Sequence, residues 1–86
     1  MKFELYTKDN CNYCTRSKFL LIENNISFQE YKLGKDFTRE ILLSKFPSAK
    51  SFPVIVIDGF YIGGYTELNE HISLNHANST EVFLTE

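Results

Sequence analysis

Pro53-Val54-Ile55-Val56-Ile57-Asp58-Gly59-Phe60-Tyr61-Ile62-Gly63-Gly64 is the stretch from which the fold can be read. Val54 to Ile57 is an unbroken β-branched run, the pattern of a strand covered on both faces. Asp58-Gly59 is the two-residue signal for a tight hairpin, so Phe60-Tyr61-Ile62 returns antiparallel to that strand. Pro53 has no N–H for a sheet ladder and suits the first position of a strand. A strand covered on both faces needs partners, and the rest of the chain supplies them.

On the C-terminal side, Gly63-Gly64 breaks the strand and a helix is expected over about 66–75, with Thr66 as its N-cap. Glu67 and Glu70 lie in its first turns, where they complement the helix dipole. On the N-terminal side, Asp36 is a good N-cap for a helix over 37–46, and Pro47 stops it. In that helix Phe37 pairs with Ile41, and Leu42 with Phe46, four residues apart. Residues 27–33 read as a strand. From about Asn12 to Asn24-Asn25 the residues favour a helix, with Phe19, Ile22 and Ile26 on one face. Residues 2–6 alternate polar and apolar as a half-buried strand does. The order is β-α-β-α-β-β-α. The first two strands, joined by a helix, are expected to be parallel with a right-handed crossover. The hairpin adds an antiparallel edge, giving an α/β fold: a mixed four-stranded sheet with helices on both faces.

The chain has 86 residues, enough for one small domain. Apolar residues make up 43% and charged residues 23%, a composition that folds and excludes disorder. The net charge of −2 is unlike that of a dedicated nucleic-acid binder. Residues 1–50 hold all nine Lys and Arg against six acids, a balance of +3, whereas residues 51–86 hold five acids and no base. Lys8, Arg16 and Lys18 cluster in sequence, and the functional reading is a positive field around residues 8–18. No basic segment followed by an apolar one opens the chain, and no apolar run approaches the ~20 residues of a membrane span. A cytoplasmic monomer with no membrane or nucleic-acid partner is expected. The ten C-terminal residues carry one apolar patch, Val82-Phe83-Leu84.

The two cysteines stand at Cys11-Asn12-Tyr13-Cys14, where a strand hands over to a helix. A bridge between them closes almost no loop and stabilises little, so they are not a structural staple. At a helix start, unpaired N–H groups and the positive end of the dipole stabilise a thiolate. Cys11 should therefore ionise below the ~8.5 of a free thiol, with Lys8 adding to the effect. Cys14 lies one turn later, near enough to attack a mixed disulfide at Cys11, and should be the less exposed sulfur. Two buried cysteines acting as small hydrophobes are the bland alternative. Half of a zinc site is another, but only His71 and His76 could complete it. The 56 residues between Cys14 and His71 far exceed a compact finger's spacing. A C-x-x-C beside a βαβ pattern favours redox chemistry. Phe52-Pro53 reads either as an ordinary strand start or as a cis-proline turn that leaves the Phe52 backbone free for an extended peptide. Gly63-Gly64-Tyr65-Thr66 reads as a turn or as a carboxylate seat at a helix N-terminus.

Taken in order, Tyr6-Thr7-Lys8, Cys11-Asn12-Tyr13-Cys14, Ser51-Phe52-Pro53 and Ile62-Gly63-Gly64-Tyr65-Thr66-Glu67-Leu68 resemble the glutaredoxins, dithiol type, over about residues 3–75. The resemblance implies a thioredoxin-like fold over residues 1–76, with 77–86 as a tail of uncertain order. It implies reduction of protein disulfides and glutathione mixed disulfides, with glutathione as co-substrate and no metal. Cys11 would be the nucleophile and Cys14 the resolving thiol. Phe52 would bond the glutathione cysteine through its backbone, with Pro53 cis. Gly64, Tyr65 and Thr66 would seat the γ-glutamyl carboxylate. Lys8 and Tyr13 would flank the glycine end and sulfur, joined by Arg39 or Lys45. Asn12 stands where many dithiol members carry proline. Two alternatives follow from the same family. One is a [2Fe–2S] carrier using Cys11 and glutathione; the other is a thioredoxin-type electron donor, for example to ribonucleotide reductase, independent of glutathione.

Overall fold

The computed structural model describes residues 1–80, and side chains through residue 74. The elements run β1 (Phe3–Thr7), α1 (Asn12–Glu23), β2 (Phe28–Lys32), α2 (Arg39–Lys45), β3 (Val54–Ile57), β4 (Phe60–Gly63) and α3 (Tyr65–Thr80). This is the expected β-α-β-α-β-β-α order. The sheet order is β2-β1-β3-β4, with β1 parallel to β2 and antiparallel to β3, and β3 antiparallel to β4. It is the thioredoxin-like arrangement.

All four residues of β3 are buried, because both faces of the sheet are covered. On one face Phe3, Leu5, Ile55 and Ile57 pack with Leu21 of α1 and with Leu68 and Ile72 of α3. On the other, Tyr6, Val54 and Val56 pack with Phe37 and with Leu42 of α2. Tyr6 is the hub of that second core. Its ring centroid lies 5.0 Å from Tyr31, 5.1 Å from Phe37 and 5.7 Å from Phe46. The β3–β4 turn is as expected: Asp58 and Gly59 take φ of 52° and 86°, the double positive value a two-residue hairpin of this type demands.

Four local expectations are corrected. The N-cap of α2 is Thr38, whose hydroxyl accepts the Ile41 N–H at 3.2 Å. Asp36 instead accepts the Lys32 N–H at 2.8 Å and closes the turn before the helix, so α2 starts two residues later. Thr66 is not a cap either. The Gly64 carbonyl accepts the Leu68 N–H, which makes Gly64 the cap and puts Thr66 second in α3. On α1, Phe19 and Ile22 are each 60% exposed. The buried stripe is Cys14, Ser17 and Leu21, with Leu21 in the core beside Leu68 and Ile72 of α3. Finally, α3 runs to Thr80, past the expected end at Asn75, while the Val82-Phe83-Leu84 patch lies outside the described residues. No helix among the described residues is long and apolar enough to cross a membrane.

Candidate active site

After β1 the chain turns through Lys8, Asp9 and Asn10, with Asn10 at φ 55°, a left-handed value Asn tolerates better than most residues. This sets Cys11 at the N-cap of α1 in an extended conformation. Its carbonyl accepts the Thr15 N–H at 3.2 Å, and its Sγ accepts the Cys14 N–H at 3.1 Å. The sulfur thus does what a Ser or Asp oxygen does at other helix starts. No acid stands in the first turn of α1 to offset the dipole. Cys14 is 2% exposed and Cys11 half-buried, so the outer and inner sulfurs fall as expected. The two are joined in a disulfide with Cα atoms 5.2 Å apart, the oxidised form of a dithiol pair.

The Phe52–Pro53 peptide is cis. The two glycines of Gly63-Gly64 differ in how strictly the backbone needs them. Gly63 has φ 131°, and a Cβ there would stand 2.6 Å from the Glu67 side chain. At Gly64 a Cβ would press to 3.3 Å from the Pro53 carbonyl. Glu67 Oε1 accepts the Gly64 N–H at 2.8 Å, reaching back from the third helical position.

Two hollows meet at Phe52. The first, about 600 Å³, is lined by Tyr13, Phe52, Pro53, Gly64, Tyr65 and Thr66, among others. The Tyr13 and Tyr65 rings stand 5.6 Å apart, and the Arg16 guanidinium lies 5.2 Å from the Tyr13 ring. The second, about 340 Å³, brings Lys8, Arg39 and Lys50 over Leu42, Leu43 and Ala49. Lys8 Nζ and Arg39 Cζ lie 5.9 and 5.7 Å from the Phe52 ring. Arg39, then, joins Lys8, whereas Lys45 lines neither hollow. Lys50 lines both hollows without having been singled out, its only hint being its place next to Ser51-Phe52-Pro53, and Glu67, read in the sequence as a first-turn acid, also lines the first.

Lys8, Arg16 and Lys18, neighbours in sequence, go to different partners, Lys8 to the Phe52 ring and Arg16 to the Tyr13 ring. Lys18 is spent on Glu30 at 3.1 Å, and the same carboxylate oxygen accepts the buried Thr7 hydroxyl at 2.7 Å. Burial alone would raise the Glu30 pKa, but these two hydrogen bonds, with the charges of Lys18 and Lys32, outweigh it and hold the carboxyl below its ordinary value. Burial, followed by the charge of Glu4, raises Tyr6. Among the described residues no three His, Cys, Asp or Glu side chains gather as a metal site.

The glutaredoxin family model matches residues 3–62. The chain belongs to the glutaredoxin family. Glutaredoxin 3 of Escherichia coli K12 is 37% identical over 65 residues, covering 76% of this chain and 78% of its own. The crystal structure of glutaredoxin 1 from Francisella tularensis, complexed with cacodylate, superposes with a TM-score of 0.72 at 30% identity, covering 86% of this chain and 94% of that one. Reduced Escherichia coli glutaredoxin in solution gives 0.72 at 26% identity, covering 87% and 96%. A glutaredoxin with Cys11 and Cys14 in disulfide contact is a thiol–disulfide oxidoreductase.

Proposed function

We propose that this glutaredoxin depends on glutathione and reduces protein disulfides and glutathione mixed disulfides, with Cys11 as nucleophile and Cys14 as resolving thiol. The observation that carries this reading is the placement of the Cys11 sulfur. It caps α1 in disulfide contact with the buried Cys14, and its chain neighbours Lys8 and Tyr13 line two hollows of different character that share Phe52.

Glutathione has a plain carboxylate at its glycine end and both a carboxylate and an ammonium at its γ-glutamyl end. Lys8 and Arg39 offer cations alone, which suits the glycine carboxylate. The start of α3 offers N–H groups beside the Glu67 carboxylate, which suits the amino-acid end. Phe52 lies between them, and its backbone is the partner for the glutathione cysteine. Tyr13, Pro53, Gly64, Tyr65 and Thr66 form the wall of this groove.

In the reduced enzyme, the Cys11 thiolate attacks the glutathione sulfur of a mixed disulfide. A Cys11–glutathione disulfide forms, the old S–S bond breaks, and the substrate sulfur leaves and takes up a proton. A second glutathione thiolate then attacks the adduct, releasing glutathione disulfide and restoring the Cys11 thiolate. On a protein disulfide, Cys14 displaces the product instead, leaving the Cys11–Cys14 disulfide. Two glutathiones reduce that bridge in turn.

The test is a coupled assay on the purified protein with a glutathionylated peptide, glutathione, glutathione reductase and NADPH. NADPH oxidation that needs both the protein and glutathione is the expected result. Recycling by thioredoxin reductase with no need for glutathione would replace this reading with a thioredoxin-type donor.

A further inference from the structure

The cavity at Lys8, Arg39 and Lys50 offers more than the glycine end of glutathione can use. Two of its cations converge on one aromatic ring, at 5.9 and 5.7 Å from the Phe52 centroid. None of the three takes part in an ion pair among the described residues; the carboxylates of Glu4, Glu30 and Asp9 are engaged by Lys2, Lys18 and Lys32. Like charges held together without a counter-charge favour an anionic occupant. One carboxylate satisfies at most the pair over Phe52 and leaves Lys50 unanswered. The floor is apolar: Leu42 and Val54 are buried, Ala49 is half-buried, and Leu43, 47% exposed, forms the open edge. Glycine has no side chain to place there. At about 340 Å³ the hollow is of the size that holds a ligand group.

We propose that this cavity is the docking site for the segment that follows the target cysteine in a protein substrate. It takes an aliphatic side chain on Leu42, Leu43 and Ala49, and an acidic side chain against Lys50 and its neighbours, both within two residues after the cysteine. The assignment rests on the orientation proposed above, in which the glycine of glutathione points toward Lys8. A protein cysteine bonded to Cys11 then sends its C-terminal neighbours the same way. Acidic–aliphatic sequences after the cysteine are thereby preferred over basic or small polar ones.

The experiment uses the Cys14→Ser protein loaded with glutathione at Cys11. Peptide thiols with Cys-Leu-Glu, Cys-Ser-Glu and Cys-Leu-Lys cores are added, and the exchange is read at equilibrium by intact mass. The Cys11–glutathione S–S bond breaks, a Cys11–peptide S–S bond forms, and glutathione leaves with the proton the peptide thiol gives up. Each exchange constant compares a peptide with glutathione on the same sulfur. The Leu-Glu peptide is expected to exceed the Ser-Glu peptide by about tenfold, the worth of one partly buried aliphatic side chain. Its margin over Leu-Lys should shrink as salt is raised, because exposed charges are screened. Leu43→Ser should pull the Leu-Glu constant toward that of Ser-Glu and leave Ser-Glu in place. Equal constants for the three peptides would overturn the proposal, and so would a Leu43→Ser effect shared by all of them. The peptide comparison needs no cavity variant, so it stands even if Leu43→Ser folds poorly. Failure of Cys11 to take up glutathione from glutathione disulfide would overturn the parent reading instead. A glutathione adduct without peptide discrimination overturns only this one.

Discussion

The starts of α1 and α3 belong to the same active-site region and are closed in opposite ways. At α1 the acceptor is a sulfur of the cap residue itself: Cys11 Sγ takes the Cys14 N–H at 3.1 Å. At α3 the cap residue, Gly64, has no side chain, and Glu67 reaches back to its N–H from inside the helix. The first arrangement places the dipole and an N–H on the sulfur proposed as the nucleophile. The second leaves the N–H groups of Tyr65 and Thr66 without intrahelical acceptors, open to a ligand carboxylate. On the function proposed above, the same orphan donors make one helix start reactive and the other receptive, according to which side chain supplies the acceptor.

The sharpest way to break this contrast is at the sulfurs. Cys11→Ser should reduce turnover to background, since a hydroxyl caps the helix equally well but stays protonated at neutral pH. Cys14→Ser should keep turnover on a glutathionylated peptide, because glutathione can do the resolving step. Comparable losses in the two variants would remove the distinction between outer and inner thiol. In the Cys14→Ser background the alkylation rate of Cys11 should rise with a midpoint below the ~8.5 of a free thiol. A midpoint at or above that value would mean that the cap position does not activate the sulfur.

The receptive start should respond to its backbone and be nearly indifferent to its side chain. Thr66→Pro removes an N–H that no intrahelical acceptor uses, so the helix should survive, as circular dichroism can verify. Losing one hydrogen bond to a charged group should weaken glutathione binding about tenfold or more. Thr66→Ala should leave stability within about 0.5 kcal/mol, because Thr66 is exposed and is not the cap. Wild-type affinity in a folded Thr66→Pro protein would move the γ-glutamyl end elsewhere.

The sequence was most legible where one residue type admits one geometry. Asp58-Gly59 could only be the turn it is, with both φ values positive, and the Val54–Ile57 run could only be a strand covered twice. It was least legible where neighbours compete for the same role. Asp36 and Thr38 are both capable caps, and only the turn from Lys32, with Gly34 at φ 88°, decides that Asp36 closes the turn and Thr38 starts the helix. On α1, hydrophobicity favours Phe19 and Ile22 as core, but the face turned inward carries Cys14, Ser17 and Leu21. In the site, the C-x-x-C and the glycine pair announce themselves locally. The trio of Lys8, Arg39 and Lys50 is far apart along the chain and becomes one feature only when β1, α2 and the approach to β3 are folded together.

The smallest expected effect is on the support beneath the reactive start. Thr7 ends β1 just before the loop to Cys11, and Lys18 lies on α1; Glu30 of β2 holds both, at 2.7 and 3.1 Å. Its folded pKa is held below the ordinary value of 4.5, against the upward pull of burial, by those hydrogen bonds with the charges of Lys18 and Lys32. The sign follows from the order of protonation. Above about pH 5 the carboxyl is ionised in folded and unfolded chains alike, and its stabilisation is fully present. As pH falls below the unfolded value, the unfolded chain binds the proton first, so that stabilisation drains away until the folded pKa is passed. Glu30→Gln keeps an acceptor for Thr7 but has no charge for Lys18 and nothing to titrate. The melting-temperature gap between wild type and Glu30→Gln should therefore be constant from about pH 5 to 7 and narrow toward pH 3. A partly exposed ion pair contributes ~1 kcal/mol or less, so the plateau gap should be a few degrees. A gap that stays level down to pH 3 would mean that Glu30 gains nothing from folding as an anion. The α1 start would then depend on its own cap alone, the Cys11 sulfur.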